Sequence, residues 1–267
     1  MIKIDKKYIN LRPIKNNNLI RLGANQDGGY VVDKKIIEKC KTLISFGLGP
    51  DWSFELDYKK INSNAKIFMY DYTASSLPYI KKILKYLKRF CTFRANYSAV
   101  KSRISYLCSY LSFIKAKHVT LFKEKITYPT TGLNETDIKK VFSRIHKDEK
   151  VILKCDIEGS EFNVINQIAS YSHRIDMMVF EFHWLDRNEE KFSSSINKIQ
   201  KYFDIIHIHG NNHCEQLSSG LPVALEMTFL NNKFRDGEIE YVNNFPLKNL
   251  DYPNNPNKKD VSFSFKD

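Results

Sequence analysis

Seven short apolar runs recur along the chain, and within them hydrophobic residues follow one another instead of alternating with polar residues. Continuous runs are typical of strands that are covered on both faces of a sheet, whereas a strand with one face in water alternates. The pattern therefore predicts seven buried strands, which cover residues 43–49, 66–72, 91–100, 151–159, 177–183, 203–210 and 225–230.

Helical spacing of apolar residues occurs between several of these runs. Phe162, Ile165 and Ile168 follow the fourth run, and Phe192 and Ile196 precede the sixth. Strands that alternate with helices predict a doubly wound α/β fold with a mostly parallel sheet. Such sheets bind ligands in the crevice beyond the carboxyl ends of their strands, so the polar residues at those ends are the candidates for function.

The length of 267 residues fits a single large domain, 1–267, better than two independent halves. Within it we expect an N-terminal cap segment over 1–40, an inserted helical region over 101–150 and a C-terminal tail over 231–267. That tail is rich in Pro and Asn, which predicts that it lies over the surface.

Composition narrows the class of protein. No run of 18 apolar residues and no signal peptide is visible, which predicts a cytoplasmic protein without membrane insertion. The five cysteines are odd in number and form no CxxC pair, as expected for reduced thiols. A net charge of +12 suits a nucleic acid, an anionic membrane or a phosphorylated substrate, but the lysines are dispersed, so the charge does not by itself indicate nucleic acid.

A glycine-rich turn and an acidic residue suggest a nucleoside site. Gly47 and Gly49 follow the first clear strand, and Asp71 ends the next, 22 residues after Gly49. Glycine lets a ligand approach the backbone, and a carboxylate at the second strand end can accept hydrogen bonds from both ribose hydroxyls. The turn lacks the GxGxxG pattern of dinucleotide sites, because Trp52 stands three residues after Gly49. An adenosine-type cofactor is therefore favoured over NAD.

The fourth run carries charges where the strand meets a helix, in "VILKCDIEGSEF". If the strand extends through Glu158, then Lys154, Asp156 and Glu158 point to one face. Asp156 needs a partner to offset its desolvation, which favours a functional role. Glu161 is explained by helix capping, since an acid in the first turn favours the helix dipole. Lys154 either counters the carboxylates or binds an anionic acceptor.

Later strands add further acids and histidines. Glu181 and His183 project together from the fifth run, and the sixth run ends in "HIHGNN". Two chemistries are open for these side chains: a divalent metal site, or a hydrogen-bonded cluster in which a carboxylate orients a histidine base. We favour the metal-free cluster because no ligand-spacing signature is present. The metal site, if present, would consist of Asp156, Glu181, His183 and His209.

The chain resembles the FkbM-type family of S-adenosylmethionine-dependent methyltransferases. The most specific part is "LKCDIEGSE", which is similar to the family's Lys-x-Asp-x-Glu-Gly-x-Glu signature. "RLGANQDGGYVV", "SFGLGPDWSFE", "FEFHW", "HIHGNN" and "LPVALEMTF" resemble, in the same order, the blocks of a bacterial branch. The likeness covers roughly residues 19–230. "GLGPDW" departs from the commoner Gly-x-Gly-x-Gly loop, so contacts beyond Gly49 do not carry over.

The resemblance implies a class I methyltransferase fold, a Rossmann-like sheet of seven strands with the last strand antiparallel, and S-adenosylmethionine as the cofactor. It places Gly47 and Gly49 against the methionyl group, Asp71 at the ribose and Asn96 near the adenine. Asp156 would face the cofactor amine or the reacting centre.

The same resemblance assigns roles to the N-terminal segment. Gly28 and Tyr30, from "DGGY", would close over the cofactor together with Arg21, which is a candidate partner for the cofactor carboxylate.

The family also implies an activity: O-methylation of a sugar hydroxyl in the biosynthesis of a bacterial surface polysaccharide, with a nucleotide sugar or a glycan as acceptor. We expect His183 to act as the base, oriented by Glu181 or Asp156. The acceptor would be held by Glu158, His209, Asn211 and Asn212. Two alternatives remain, an RNA-modifying methyltransferase and a non-catalytic nucleoside-binding scaffold; nucleic acid is not the expected partner.

Overall fold

A computed structural model describes residues 2–265. Its central sheet has seven strands, numbered here β1 to β7 in chain order. They span Thr42–Phe46 (β1), Lys66–Tyr70 (β2), Val119–Phe122 (β3), Val151–Cys155 (β4), Ile175–Phe182 (β5), Phe203–Gly210 (β6) and Leu225–Asn231 (β7).

The strands lie in the order β3-β2-β1-β4-β5-β7-β6. All neighbouring pairs are parallel except those of β7, which runs antiparallel to both β5 and β6. The predicted doubly wound sheet with an antiparallel last strand is confirmed. The chain reverses its direction of progress between β1 and β4, and in such sheets the ligand crevice lies beyond the strand ends at that point.

Helices surround this sheet and explain why its strands are continuously apolar. Along β1, Leu43 and Ile44 enter two different hydrophobic clusters, and so do Ile152 and Leu153 along β4. Each strand therefore buries both of its faces. The helices are Lys34–Lys39 (α1), Ser53–Ile61 (α2), Leu77–Cys91 (α3), Tyr97–Ile114 (α4), Ile138–Ser143 (α5), Glu161–Ser170 (α6) and Leu185–Ile199 (α7), with short 3-10 helices at Lys6–Leu11, Ser172–Arg174 and Asn232–Phe234.

The third predicted strand is wrong. Residues 91–100 form the end of α3, a turn and the start of α4, where Asn96 caps the helix by accepting a hydrogen bond from the backbone NH of Ala99. The true edge strand is β3, inside the region 101–150 that was predicted to be an inserted helical region. That region also holds a small parallel ladder of Lys125–Ile126 with Glu135–Thr136, so the helical insertion is better described as the α3–α4 pair.

The N-terminal segment forms a hairpin that packs on the sheet. Its strands, Leu19–Leu22 and Tyr30–Asp33, pair antiparallel, and the hydroxyl of Thr228 on β7 donates a hydrogen bond to the carbonyl of Val31 at 2.6 Å. This contact fixes Tyr30 beside the carboxyl ends of the central strands.

The C-terminal segment is not a surface tail. Strand Phe263–Ser264 pairs with Ile2–Lys3 on one side and with Asn244–Phe245 on the other. Phe245 and Phe263 are fully buried in the main hydrophobic cluster, and Asp251 contacts His207 of β6. The Pro and Asn content suggested a surface location, and residues 256–259 are exposed, but the aromatic residues on either side of this loop are buried in the core.

Across residues 2–265, no helix is both long enough and apolar enough to cross a bilayer.

Because the C-terminal segment supplies core residues, Phe263→Ala should lower the free energy of unfolding by about 3–5 kcal/mol, the usual range for removing a buried phenylalanine. The matched control is Ile239→Ala, which changes a half-exposed residue of the same segment. Chemical denaturation measures both. A loss for Phe263→Ala no larger than the loss for the control would contradict this description of the segment.

Candidate functional site

The glycine turn after β1 touches the end of β4. Gly47 has a φ of +77°, and a Cβ placed on it would lie 1.6 Å from the carbonyl oxygen of Asp156. Both the left-handed backbone and the lack of space demand glycine here. From sequence we expected a ligand to approach this turn; at Gly47 the close neighbour is the protein's own chain, at the carbonyl of Asp156.

Asp71 braces the same turn from the end of β2. One carboxylate oxygen accepts hydrogen bonds from the backbone NH groups of Leu48 and Gly49, at 3.1 and 3.0 Å. The other accepts from the backbone NH and the hydroxyl of Thr73, at 2.7 and 2.6 Å. The predicted glycine turn and acid thus form one unit.

A cavity of about 390 Å³ opens over this unit, within the range of about 300–1,000 Å³ that small-molecule sites occupy. It lies beyond the ends of β1, β2 and β4, at the reversal of strand order. Six of the predicted site residues line it: Gly28, Gly47, Gly49, Asp71, Asp156 and Glu158. Lining residues that the sequence argument missed include Asp27, Asp51, Tyr72 and Lys125.

Lys154 lies in the floor of the cavity and is buried. Its ammonium donates to the carbonyl of Gly47 at 2.9 Å and lies 3.5 Å from the carboxylate of Glu55 on α2. Glu55 is also fully buried and accepts a hydrogen bond from Ser45 at 2.5 Å. Burial lowers the pKa of Lys154, but the carboxylates of Glu55 and Asp156 raise it by more, so the net shift is upward. Lys154 therefore counters carboxylates, the first of the two roles considered from sequence.

Three carboxylates surround His183, and two of them, those of Asp156 and Glu158, line the cavity. The Nε2 atom of His183 lies 3.8 Å from Asp156, 3.7 Å from Glu158 and 3.7 Å from Glu181. From sequence we grouped Asp156, Glu181 and His183 with His209; the structure places Glu158 beside the first three instead, and His209 lies elsewhere. His183 and the three carboxylates around it are called the acidic cluster below.

Glu161 completes the surroundings of His183 and was underestimated from sequence. It is fully buried, and one carboxylate oxygen accepts from the Nδ1–H of His183 at 2.9 Å. The same oxygen accepts from the backbone NH groups of Ile157 and Gly159. A signal was present: Glu161 shares the inward helical face of α6 with Val164, Ile165 and Ile168.

The surroundings strongly shift the pKa values of two groups in the acidic cluster, Glu181 and His183. Burial, together with the nearby Asp156 and Glu226 carboxylates, raises the pKa of Glu181 well above its usual value. Burial alone would lower the pKa of His183, but its hydrogen bond to Glu161 and the surrounding carboxylates raise it to about 10. His183 is therefore an imidazolium at neutral pH, which conflicts with the base role predicted for it.

Tyr30 and Asn211 support the acidic cluster. The Tyr30 hydroxyl donates to Asp156 at 2.9 Å and lies 3.4 Å from Glu181. The side-chain amide of Asn211 donates to Glu181 at 2.8 Å. Both residues were predicted to bind ligands, and the structure instead places them as partners of the carboxylates.

Four other predicted site residues are engaged elsewhere. Arg21 donates to the carbonyls of Ala24, Gln26 and Leu250, so it holds loops together and does not line the cavity. Asn96 is the exposed cap of α4. The remaining two, His209 and Asn212, are tied to the C-terminal segment.

His209 lies between Glu226 and Asp260, at 3.1 and 3.0 Å, and Asn212 donates to carbonyls of residues 255–259. Because both ring nitrogens of His209 are engaged, the four-residue metal set is wrong as composed. Among residues 2–265, one group could hold a metal ion: Asp156, Glu158 and His183, whose ligand atoms lie within 4.8 Å of one another. It includes neither Glu181 nor His209.

Sequence comparison decides the family. The family model described as the methyltransferase FkbM domain matches residues 6–212, more than half of the chain. The chain belongs to the FkbM methyltransferase family. No curated protein sequence matches it.

Several solved structures resemble this FkbM methyltransferase at low sequence identity. They include a fibrillarin/Nop5p complex (9% identity, 72% of each chain, TM-score 0.39) and a fibrillarin from Methanococcus jannaschii described as a pre-rRNA processing protein (7% identity, 73% and 68%, 0.36). A precorrin-6y C5,15-methyltransferase from Geobacter metallireducens has 11% identity over 72% and 79% of the chains, with a TM-score of 0.34.

Membership of the family makes the chain an S-adenosylmethionine-dependent methyltransferase. The cavity fits this cofactor in its chemistry. It offers a turn whose glycine positions leave the backbone accessible, a carboxylate at the end of β2, and further acids, Asp27 and Asp51, that suit a positively charged ligand.

The buried ion pair beneath the cavity gives a stability prediction. Lys154→Met should leave Glu55 as an uncompensated buried charge and cost about 3–5 kcal/mol of unfolding free energy. Adding Glu55→Gln removes that charge and should restore most of the loss. Denaturation of both single variants and the double variant tests this, and losses that simply add would contradict a direct coupling.

Proposed function

We propose that this FkbM methyltransferase transfers the methyl group of S-adenosylmethionine to a hydroxyl of a sugar. The observation that carries the proposal is the acidic cluster, in which three carboxylates converge on His183, two of them, Asp156 and Glu158, from the wall of the cavity. The two carboxylates of the cluster that line the cavity, Asp156 and Glu158, can accept hydrogen bonds, so the cluster suits an acceptor rich in hydroxyl donors. The phosphates of a nucleotide-sugar acceptor would lie away from these acids.

We assign the cofactor to the cavity over the glycine turn. The turn at Gly47 and Gly49 would face the methionyl part, and Asp71 would hold the ribose by exchanging some of its present donors for hydroxyls. Lys125 replaces Arg21 as the candidate partner for the cofactor carboxylate, because it lines the cavity and Arg21 does not. When bound, S-adenosylmethionine supplies an activated methyl group on a sulfonium.

Among the acids, Asp156 is the residue we assign as the base. It belongs both to the cavity wall and to the acidic cluster, and its side chain is about one-quarter exposed, whereas Glu181 is almost fully buried. Asp156 accepts the acceptor's hydroxyl proton while the Tyr30 hydroxyl holds the carboxylate in place. His183, being protonated, balances the negative charge and fixes the positions of the carboxylates.

Alignment of the two bound reactants contributes more to the rate enhancement than the base does. Orienting two bound reactants can contribute roughly 7–11 kcal/mol, whereas a positioned base contributes about 10²- to 10⁴-fold, roughly 3–5 kcal/mol. The proposed acceptor is a nucleotide sugar or glycan used for a bacterial surface polysaccharide, as in the family resemblance, with the cytoplasm as the expected compartment. Glu158, the most exposed member of the acidic cluster, would contact it.

Cofactor binding tests the shared premise. We expect S-adenosylmethionine and S-adenosylhomocysteine to bind in calorimetric titrations, and Asp71→Ala to weaken both by roughly 10- to 100-fold, the effect of losing hydrogen bonds to a charged group. Asp148→Ala, at a largely exposed aspartate distant in sequence, is the matched control. Absence of binding by the unaltered protein would refute the cavity assignment.

Turnover tests the base. In an acceptor screen with labelled cofactor, run with and without a chelator, Asp156→Asn should lower kcat by about 10²- to 10⁴-fold. Asp148→Asn should leave kcat unchanged. Turnover of Asp156→Asn within threefold of the unaltered protein would rule out the base role. Label transfer to RNA alone would favour an RNA-modifying enzyme, and binding without any turnover would favour a scaffold.

A further inference from the structure

The lysines and arginines are dispersed along the chain, but the net positive charge is concentrated on one segment. Residues 72–123 contain 11 lysines and arginines and no aspartate or glutamate. Removing these 11 from the chain's 42 basic residues leaves 31 against 30 acidic ones. Nearly all of the net charge of +12 therefore lies on one segment, which consists mainly of α3 and α4.

Helix α3 also exposes a row of aliphatic side chains. Leu77, Ile80, Leu84 and Leu87 recur at helical spacing and are all exposed, Leu77 and Leu84 by about 60%. The spacing places them on one stripe of the helix, and exposed Cys91 continues the stripe. Only Tyr79 of α3 is buried. The helix thus leaves a hydrophobic stripe without cover in the described chain.

The basic residues of α3 adjoin this stripe. At 100° per residue, Lys81, Lys85 and Lys88 fall on the arc beside the leucines, while Tyr79 falls on the side toward α4. The turn after α3 extends the apolar surface, because the side chain of Phe93 is almost completely exposed. An uncovered apolar stripe flanked by lysines is the pattern of a helix that lies in a membrane interface.

We propose that α3 and the turn at Phe93 dock this protein on the surface of an anionic phospholipid bilayer. The leucine stripe enters the boundary between headgroups and acyl chains, and the lysines contact the anionic headgroups. Charge complementarity selects this occupant. Nucleic acid would explain the lysines and the exposed rings of Phe93 and Tyr97, but it leaves the four aliphatic side chains of the stripe without a role, because single strands stack on aromatic rings.

The docking surface adjoins the cofactor cavity. The hydroxyls of Tyr79 on α3 and Tyr106 on α4 donate to the carbonyl of Pro50, at 3.4 and 2.9 Å, and Pro50 lines the cavity. Trp52 packs against the same two tyrosines. The helix pair is therefore anchored to the glycine turn. This inference does not depend on which acceptor the enzyme methylates.

Vesicle binding of the full chain tests the proposal. We expect co-sedimentation with vesicles of phosphatidylcholine and phosphatidylglycerol (7:3), and none with pure phosphatidylcholine. Leu84→Ser combined with Leu87→Ser should weaken binding at least tenfold. Lys81→Gln combined with Lys85→Gln should weaken it by roughly fivefold for each lysine removed, and added salt should also weaken it.

Matched controls change equivalent residues elsewhere. Ile239→Ser removes a half-exposed apolar residue, and Lys139→Gln with Lys147→Gln removes two exposed lysines; all three changes should leave vesicle binding unaltered. Cofactor binding by each variant verifies that it folds. No binding to the anionic vesicles, or equal loss in variants and controls, would overturn the proposal.

A spectroscopic readout locates the contact. With Cys108 replaced by Ser, an environment-sensitive fluorophore on Cys91 should shift to shorter wavelength with anionic vesicles. The same fluorophore on Cys108, which lines a separate groove with Trp52 and Lys59, should not shift in a Cys91→Ser background. Salt-sensitive RNA binding without vesicle binding would identify a nucleic-acid surface instead. Loss of a dimer in the leucine variant, again without vesicle binding, would identify a contact between two copies.

Discussion

The site depends on keeping one buried ammonium compensated. Lys154 lies inside the sheet, where an isolated charge would be costly, and its two contacts come from separate elements, the glycine turn and helix α2. The ammonium can be satisfied only if the turn after β1 and the start of α2 take their observed positions. The cavity floor is thus shaped by charge compensation as much as by packing.

The same principle organises the carboxylates above that floor. Asp156 receives a hydrogen bond from Tyr30, Glu181 from Asn211, and Glu161 from backbone NH groups and His183. His183 supplies a positive charge among acids that would otherwise repel one another. Asp156, Glu181 and His183 are therefore held in place by the protein's own hydrogen bonds, as a site that must align two reactants requires.

The sheet could be predicted from the sequence because its strands bury both faces, so their apolar runs are unbroken. Residues 91–100 misled the same argument, since a short apolar run at the junction of two helices resembles a strand. Asp71, Asp156 and His183 could be chosen as candidate site residues because they stand at the carboxyl ends of strands, where such sheets bind ligands.

Pairings between distant segments could not be predicted in this way. Glu55 and Lys154 are 99 residues apart, and no local pattern joins them. Asp260, which forms a hydrogen bond with His209, belongs to a segment whose composition suggested a loop. Glu161 could have been identified from the sequence, because it lies on the buried face of α6.

The contact between Gly47 and the carbonyl of Asp156 has a consequence for any attempt to redesign the enzyme. The turn that we propose to face the cofactor touches the chain just beyond β4, which carries the proposed base, so moving either one would displace the other. Acceptor preference is therefore best altered around Glu158, whose exposed side chain can change without disturbing that contact.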